Sequence, residues 1–135
     1  MITVSEKSRL ALSALVELGR RATGAPVPIV EVAGARDIPL HVVEQLFGAL
    51  RRAGILQSQR GVRGGYSFRR PADEVTALDV VQAVDGELGV AEPAGPLDAF
   101  WLEVAGATAQ PLADATIADL VQREALAGDA PMFHI

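Results

Sequence analysis

The sequence predicts a mainly α-helical fold with one small β-hairpin, and three observations carry that prediction. The stretch Ile38–Pro71, IPLHVVEQLFGALRRAGILQSQRGVRGGYSFRRP, begins with a helical pattern that has two distinct faces. It then breaks into two short strand-like runs around a glycine-rich connection, RGVRGG. The charge is also split along the chain. Residues 1–70 hold eleven basic against five acidic residues, net +6, and residues 71–135 hold one against twelve, net −11, which together give the overall −5.

The first element predicted is an amphipathic helix over Ser5–Arg21. Leu12, Leu15, Val16 and Gly19 share one face, and Ala11, Ala14 and Leu18 widen it. Thr23, Gly24, Ala25 and Pro26 end it. Pro28 opens a short helix, Ile29–Arg36, with Val32 and Ala33 inward. Asp37, Ile38 and Pro39 make a turn into a third helix, where Pro39 falls at a position whose N–H would be unpaired in any case. Two short helices joined by a tight turn fit a helix-turn-helix, although any small three-helix bundle offers the same pattern. In the third helix Leu40, Val43, Leu46, Phe47 and Leu50 form the apolar stripe. His41, Glu44, Gln45, Gly48 and Arg52 form the opposite one. Gly54 closes the helix, and Arg51 and Arg52 suit its negative end.

The strand-like runs are Ile55–Gln59 and Tyr66–Arg70, and the connection between them is too rich in glycine for a helix. Glycine removes side-chain bulk, so this cationic loop can approach a phosphate backbone closely. Thr76 then caps a helix over Ala77–Asp85, supported by Asp79, with Leu78, Val80, Val81 and Val84 on its apolar side. Gly86–Pro96 reads as a loop. A long helix is expected over Leu97–Leu112, with Phe100, Trp101, Val104 and Ala107 or Thr108 as its stripe and Pro111 bending or ending it. Thr116 caps a last helix, Ile117–Ala127, with Leu120, Val121 and Leu126 on its apolar side. The tail from Gly128 is expected to fray.

The residues LHVVEQLFGALRRAGIL, RGVRGGY, RP and LDVVQAVDG, in that order, resemble the Rrf-two type (IscR/NsrR-like) winged-helix transcription regulators. The resemblance covers most of the chain. It implies a winged helix-turn-helix with a C-terminal dimerisation helix. Residues 1–70 would be the DNA-binding region and residues 71–135 a helical dimerisation and regulatory region within one compact chain. In this family the first wing arginine, here Arg60, contacts DNA. The resemblance also places much of the dimer contact on the helix at Leu97–Leu112, whose apolar stripe supplies Phe100, Trp101 and Val104; Trp101 reads as a core or dimer-interface anchor rather than a ligand-stacking residue. Many family members hold an iron–sulfur cluster through three cysteines in the loop that is Gly86–Pro96 here. This chain has no cysteine, so it reads as a cysteine-free variant without a cluster.

The expected DNA-facing residues follow. The N-terminal part of a recognition helix meets base edges in the major groove. That places His41, Glu44 and Gln45 there, where Gln pairs with adenine and Glu accepts from the cytosine amino group, and Pro39, Arg51 and Arg52 are expected among the DNA-binding residues as well. Glu44 would otherwise orient Arg51 or Arg52. The competing reading of this face is ordinary solvated surface. Arg60 and Arg63, on a hairpin with Gly64 and Gly65, suit a narrow minor groove, and Arg69 and Arg70 suit phosphates. A phosphate-binding P-loop fits worse, because GVRGGY lacks the lysine and hydroxyl at the required spacing.

The absence of cysteine excludes disulfides and thiolate metal sites, and His41 and His134 lie far apart. No catalytic constellation stands out, so the chain is not expected to be an enzyme, and no cofactor is expected. Four Phe, one Tyr and one Trp offer no evident stacking platform for RNA. No apolar run reaches membrane-spanning length and no signal-peptide pattern opens the chain, so a cytoplasmic location is expected. The expected partners are double-stranded DNA, a second copy of the chain, and a small-molecule or protein effector. The alternative is a winged helix used for protein–protein contact.

Overall fold

Ser5 starts the first helix by accepting a hydrogen bond at its side chain from the Ser8 N–H, 3.1 Å. The structure, a computed structural model, describes residues 4–86 and 95–129. Its elements run α1 (Glu6–Arg21), α2 (Ile29–Arg36), α3 (Leu40–Arg52), β1 (Leu56–Gln59), β2 (Gly65–Phe68), α4 (Ala77–Asp85), α5 (Asp98–Asp114) and α6 (Ile117–Asp129). The chain therefore has the winged helix-turn-helix order expected of it.

α1 is the hub. Ala11, Ala14, Leu15 and Leu18 are buried in one core with Val32, Val43, Phe47, Leu50, Ile55, Leu56, Val75, Val80 and Ile117. α2, α3, α4 and α6 all pack on α1. Small residues permit this: a Cβ on Gly19 would sit 2.9 Å from Val121 Cγ2, so α1 and α6 approach through a glycine. Each large apolar side chain buried here contributes about 1.5–3 kcal/mol relative to exposure. Because the core draws on both the first 70 residues and the rest, the two regions share one interior.

The turn between α2 and α3 hangs on Asp37, a left-handed residue at φ 52°, ψ 45°, a conformation that short polar side chains tolerate. The Ile38 N–H then donates back to Ala33 O at 3.0 Å, and Ile38 is buried beneath the turn. α3 ends as expected at Gly54, φ +81°. Gly54 N–H donates to Arg51 O and Ile55 N–H to Leu50 O, both at 3.0 Å, which satisfies two otherwise unpaired carbonyls. β1 and β2 pair antiparallel, Leu56 opposite Phe68 and Gln59 opposite Gly65. Val27, just before α2, adds a third short rung: Val27 and Tyr66 exchange two backbone hydrogen bonds of 2.9 Å.

α4 and α6 begin side by side. Thr76 and Asp79 form a reciprocal capping pair, and Thr116 and Asp119 form another at 3.0 Å in both directions. An antiparallel bridge joins the two caps, with Ala77 N–H to Ala115 O and Ile117 N–H to Val75 O both at 2.8 Å.

Four expectations need correction. Pro111 does not end α5, which runs on to Asp114. Proline withholds one N–H, and the carbonyl it orphans belongs to Ala107, an exposed residue that water can reach. Leu40 is 40% exposed, because it sits in the first turn, beyond the edge of the core. Leu126 is 63% exposed, because it lies on the face of α6 opposite the buried Ile117, beside Asp119, Gln122 and Arg123. Gly128, where fraying was expected to start, lies within α6, which reaches Asp129. Most of the Gly86–Pro96 loop and the tail residues Met132, Phe133, His134 and Ile135 lie outside the described residues. Among the described residues no helix is long and apolar enough to cross a membrane.

Candidate nucleic-acid interface

α3 turns Val43, Leu46, Phe47 and Leu50 inward, which by helical geometry sends His41, Glu44, Gln45 and Arg52 outward, and all four are exposed. Pro39 is the N-cap residue; it is exposed, and its carbonyl accepts from the Val42 and Val43 N–H groups at 3.0 and 3.2 Å. Arg51 is exposed beside Arg52. Phe47 anchors the helix to the hairpin: its ring meets Tyr66 edge-on, with centroids 5.3 Å apart. The helix and wing are therefore one packed unit rather than a helix with a loose appendage.

The wing tip carries Arg60 and Arg63, both exposed, on either side of Val62, which is fully exposed. Its glycines act inside the protein. A Cβ on Gly64 would lie 2.2 Å from Gln59 O, and one on Gly65 (φ +152°) would lie 2.3 Å from Val27 O. Gly64 lets the hairpin fold back on itself, and Gly65 admits the Val27 rung. The glycine pair thus builds the tip that presents the two arginines. Sequence reasoning passed over Val62; its signal was an apolar residue between two arginines in a glycine-rich turn.

The remaining arginines divide into two groups. Arg69 is exposed, and its N–H extends the hairpin by donating to Ile55 O at 2.9 Å. Arg70 instead donates to Glu74 O at 2.9 Å and lies 3.4 Å from Asp79, which ties the end of β2 to the cap of α4. Among the described residues no ion pair engages Arg51, Arg52, Arg60, Arg63 or Arg69, and none joins Glu44 to Arg51 or Arg52.

A second cluster was not foreseen. Glu17 is 3% exposed and accepts from Arg20 at 2.6 Å, from Arg36 Nε at 3.1 Å and from Arg21 Nε. Burial works against its charge, but the hydrogen bonds from Arg20 and Arg21, the Arg20 charge and the Arg36 bond outweigh it and lower its pKa to about 2. Arg36 continues outward to Glu124 through two bonds of 2.6 Å. Three arginines of the basic half thus serve internal pairing of α1, α2 and α6. The cationic surface that remains is concentrated on α3 and the wing.

α5 carries the other conspicuous surface. None of its described residues is buried; Phe100 is 51% and Trp101 47% exposed, and their rings meet edge-on at 5.0 Å. Val104, on the same face, is half-buried. Trp101 is therefore no core residue within one chain.

The donor set does not suit an iron–sulfur cluster. The chain has no thiolate, and among the described residues no three His, Asp or Glu side chains are placed to hold a metal ion.

A family model described as "Rrf2: Iron-dependent Transcriptional regulator" matches residues 4–123. The HTH-type transcriptional regulator CymR of Bacillus subtilis is 29% identical over 136 residues, covering 98% of this chain and 99% of that protein. The HTH-type transcriptional regulator IscR of Cereibacter sphaeroides is 39% identical over 84 residues, covering 61% of this chain and 54% of that protein, so the match spans about half of its length. Among solved structures, CymR (YrzC), the global cysteine regulator of B. subtilis, superposes with a TM-score of 0.80 at 28% identity, over 91% of this chain and 98% of that one. The oxidized form of Staphylococcus aureus CymR gives 0.74 at 29% identity, over 90% and 97%. T. potens IscR, at 23% identity and a TM-score of 0.79 over 98% and 94%, shares the fold.

Proposed function

Since the chain belongs to the Rrf2 family of transcriptional regulators, we propose that it is a sequence-specific DNA-binding repressor that grips a palindromic operator as a homodimer and works without an iron–sulfur cluster. The observation that carries this reading is the joint surface of α3 and the wing. There, His41, Glu44, Gln45, Arg52, Arg60 and Arg63 are exposed on elements fixed to each other through Phe47 and Tyr66. His41, Glu44 and Gln45 read base edges from the major groove. Arg51, Arg52 and Arg69 supply sequence-independent attraction to phosphates, and Arg60 and Arg63 enter the adjacent minor groove. Arg70 acts indirectly, by holding the wing against α4. The exposed face of α5, with Phe100, Trp101 and Val104, meets the same face of a second copy. A two-fold dimer then sets two copies of α3 about one helical turn apart, roughly 34–36 Å. The bound dimer represses by occupying its site.

The test is a salt titration of duplex binding. Replacing Arg60 and Arg63 with Ala should weaken binding strongly and reduce the slope of log affinity against log salt by roughly 0.9 for each phosphate no longer neutralised. Preference for A·T-rich steps should fall as well. A folded double variant with unchanged affinity and slope would remove the wing from the interface. Binding with no dependence on salt would favour a protein-binding module instead.

A further inference from the structure

A cleft of about 400 Å³ opens between α1, α3 and α4. Its floor is apolar: Leu46 is buried, and Ala49, Ala83 and Val84 are half-buried. Its rim is polar and cationic, with Lys7 from α1 and Gln45 and Arg52 from α3. Among the described residues no acidic side chain lines it. The acid at the end of α4, Asp85, accepts hydrogen bonds from the Ser5 and Ser8 hydroxyls at 2.5 and 2.6 Å.

We propose that this cleft binds a small amphipathic carboxylate, with its apolar body on Leu46, Ala49, Ala83 and Val84 and its carboxylate between Lys7 and Arg52. The volume falls within the range of small-molecule sites, about 300–1,000 Å³. A bare inorganic anion would leave the apolar floor wet, and a neutral apolar molecule would leave Arg52 without a counter-charge and Lys7 with only the attraction of Asp85 at the end of α4. Charge-assisted bonds from an ammonium and a guanidinium fit one carboxylate. Gln45 adds an amide that can donate or accept, which favours a ligand with a second polar group. The occupant would engage two side chains assigned above to DNA, Gln45 and Arg52, so binding it should oppose operator binding. That consequence rests on the DNA-binding reading, whereas occupancy of the cleft does not.

The experiment is a titration of the full-length, isotope-labelled protein, followed by backbone amide resonances, with hexanoate and phenylacetate as probes. Sodium sulfate at matched ionic strength and hexanol serve as controls. Saturable shifts at Lys7, Ala49 and Ala83 are expected with the carboxylates and not with the controls. Lys7→Gln, an exposed substitution that leaves the core untouched, should weaken binding about tenfold, the loss of one charge-assisted bond. Ala83→Met should fill the floor and abolish binding. Sulfate shifts equal to those of the carboxylates would reduce the site to a cationic surface and overturn the proposal. No saturable shift with either carboxylate, or a Lys7→Gln variant that binds as tightly as the parent, would overturn it too. In parallel, carboxylate should lower affinity for duplex DNA. Saturable amide shifts with unchanged DNA affinity would keep the site and reject the assignment of Gln45 and Arg52 to DNA.

Discussion

Glu17→Gln is the substitution that most directly tests how α1, α2 and α6 are held together. The carboxylate is 3% exposed and takes bonds from Arg20, Arg21 and Arg36. An amide keeps the shape but loses the charge, and its NH₂ group points donors at guanidinium donors. The pKa gives the size of the effect. An unfolded chain carries this carboxyl at 4.5, and the folded protein holds it at about 2. That difference corresponds to about 3 kcal/mol of stability at neutral pH. Removing one partner of a buried ion pair costs a similar 3–5 kcal/mol. Because the folded pKa is depressed, the contribution is fully present above 4.5 and is lost as the pH falls towards 2. Urea unfolding followed by circular dichroism should therefore show a gap between parent and variant that is widest near neutrality and closes through that acid window. Other carboxyls with lowered pKa, such as Asp85 and Glu124, tilt both curves. The difference between the curves isolates Glu17, apart from a small secondary effect, because removing its charge also relieves Glu124. No gap at neutral pH, or a gap that stays constant through the acid window, would refute the account.

Trp101→Ala should barely change the unfolding of an isolated chain, since the side chain is already 47% exposed, but it should shift sedimentation towards monomer and weaken binding to palindromic sites more than to single half-sites. A parent chain that stays monomeric at high concentration, free and on DNA, would defeat the dimer model. Gly65→Ala forces a Cβ to within 2.3 Å of Val27 O at φ +152°; a loss of about 2 kcal/mol or more is expected, with faster amide exchange at Val27 and Tyr66, and unchanged exchange there would contradict the rung. Anaerobically purified protein should be colourless and bind DNA without iron, whereas stoichiometric iron and sulfide would contradict the donor chemistry.

Helix periodicity made most of this architecture legible in the sequence. α2 and α4 lie where the apolar spacing put them, and Gly54 ends α3 by the mechanism its position implied. What stayed hidden depends on contacts between residues distant in sequence. Glu17 sits among apolar neighbours on α1 and reads locally as a charged surface residue. Only the approach of Arg36 from α2 explains its burial. The rung at Val27 is a single residue between two helices, too short to leave an alternating pattern. The wing glycines were visible, but their purpose was not. Their Cβ positions are filled by Gln59 O and Val27 O, so close packing within the protein accounts for both before any phosphate is considered. Likewise, Arg70 shares the cationic run of Arg69 but is held by Glu74 and Asp79.

The bridge between Thr76 and Thr116 works as a clasp. Two helix N-termini would repel if left bare, but each carries its own carboxylate, Asp79 and Asp119, so their positive ends can lie together. Everything between the clasped residues leaves and returns at one fastened point. The entropy of closing a chain segment grows only slowly with its length, by about 0.6 kcal/mol for each doubling. The segment between α4 and α5 can therefore gain or lose residues, or exchange its chemistry altogether, while the clasp keeps α6 seated on α1. A scaffold built this way lets the chain between the two caps vary while the helices that share the core stay in place.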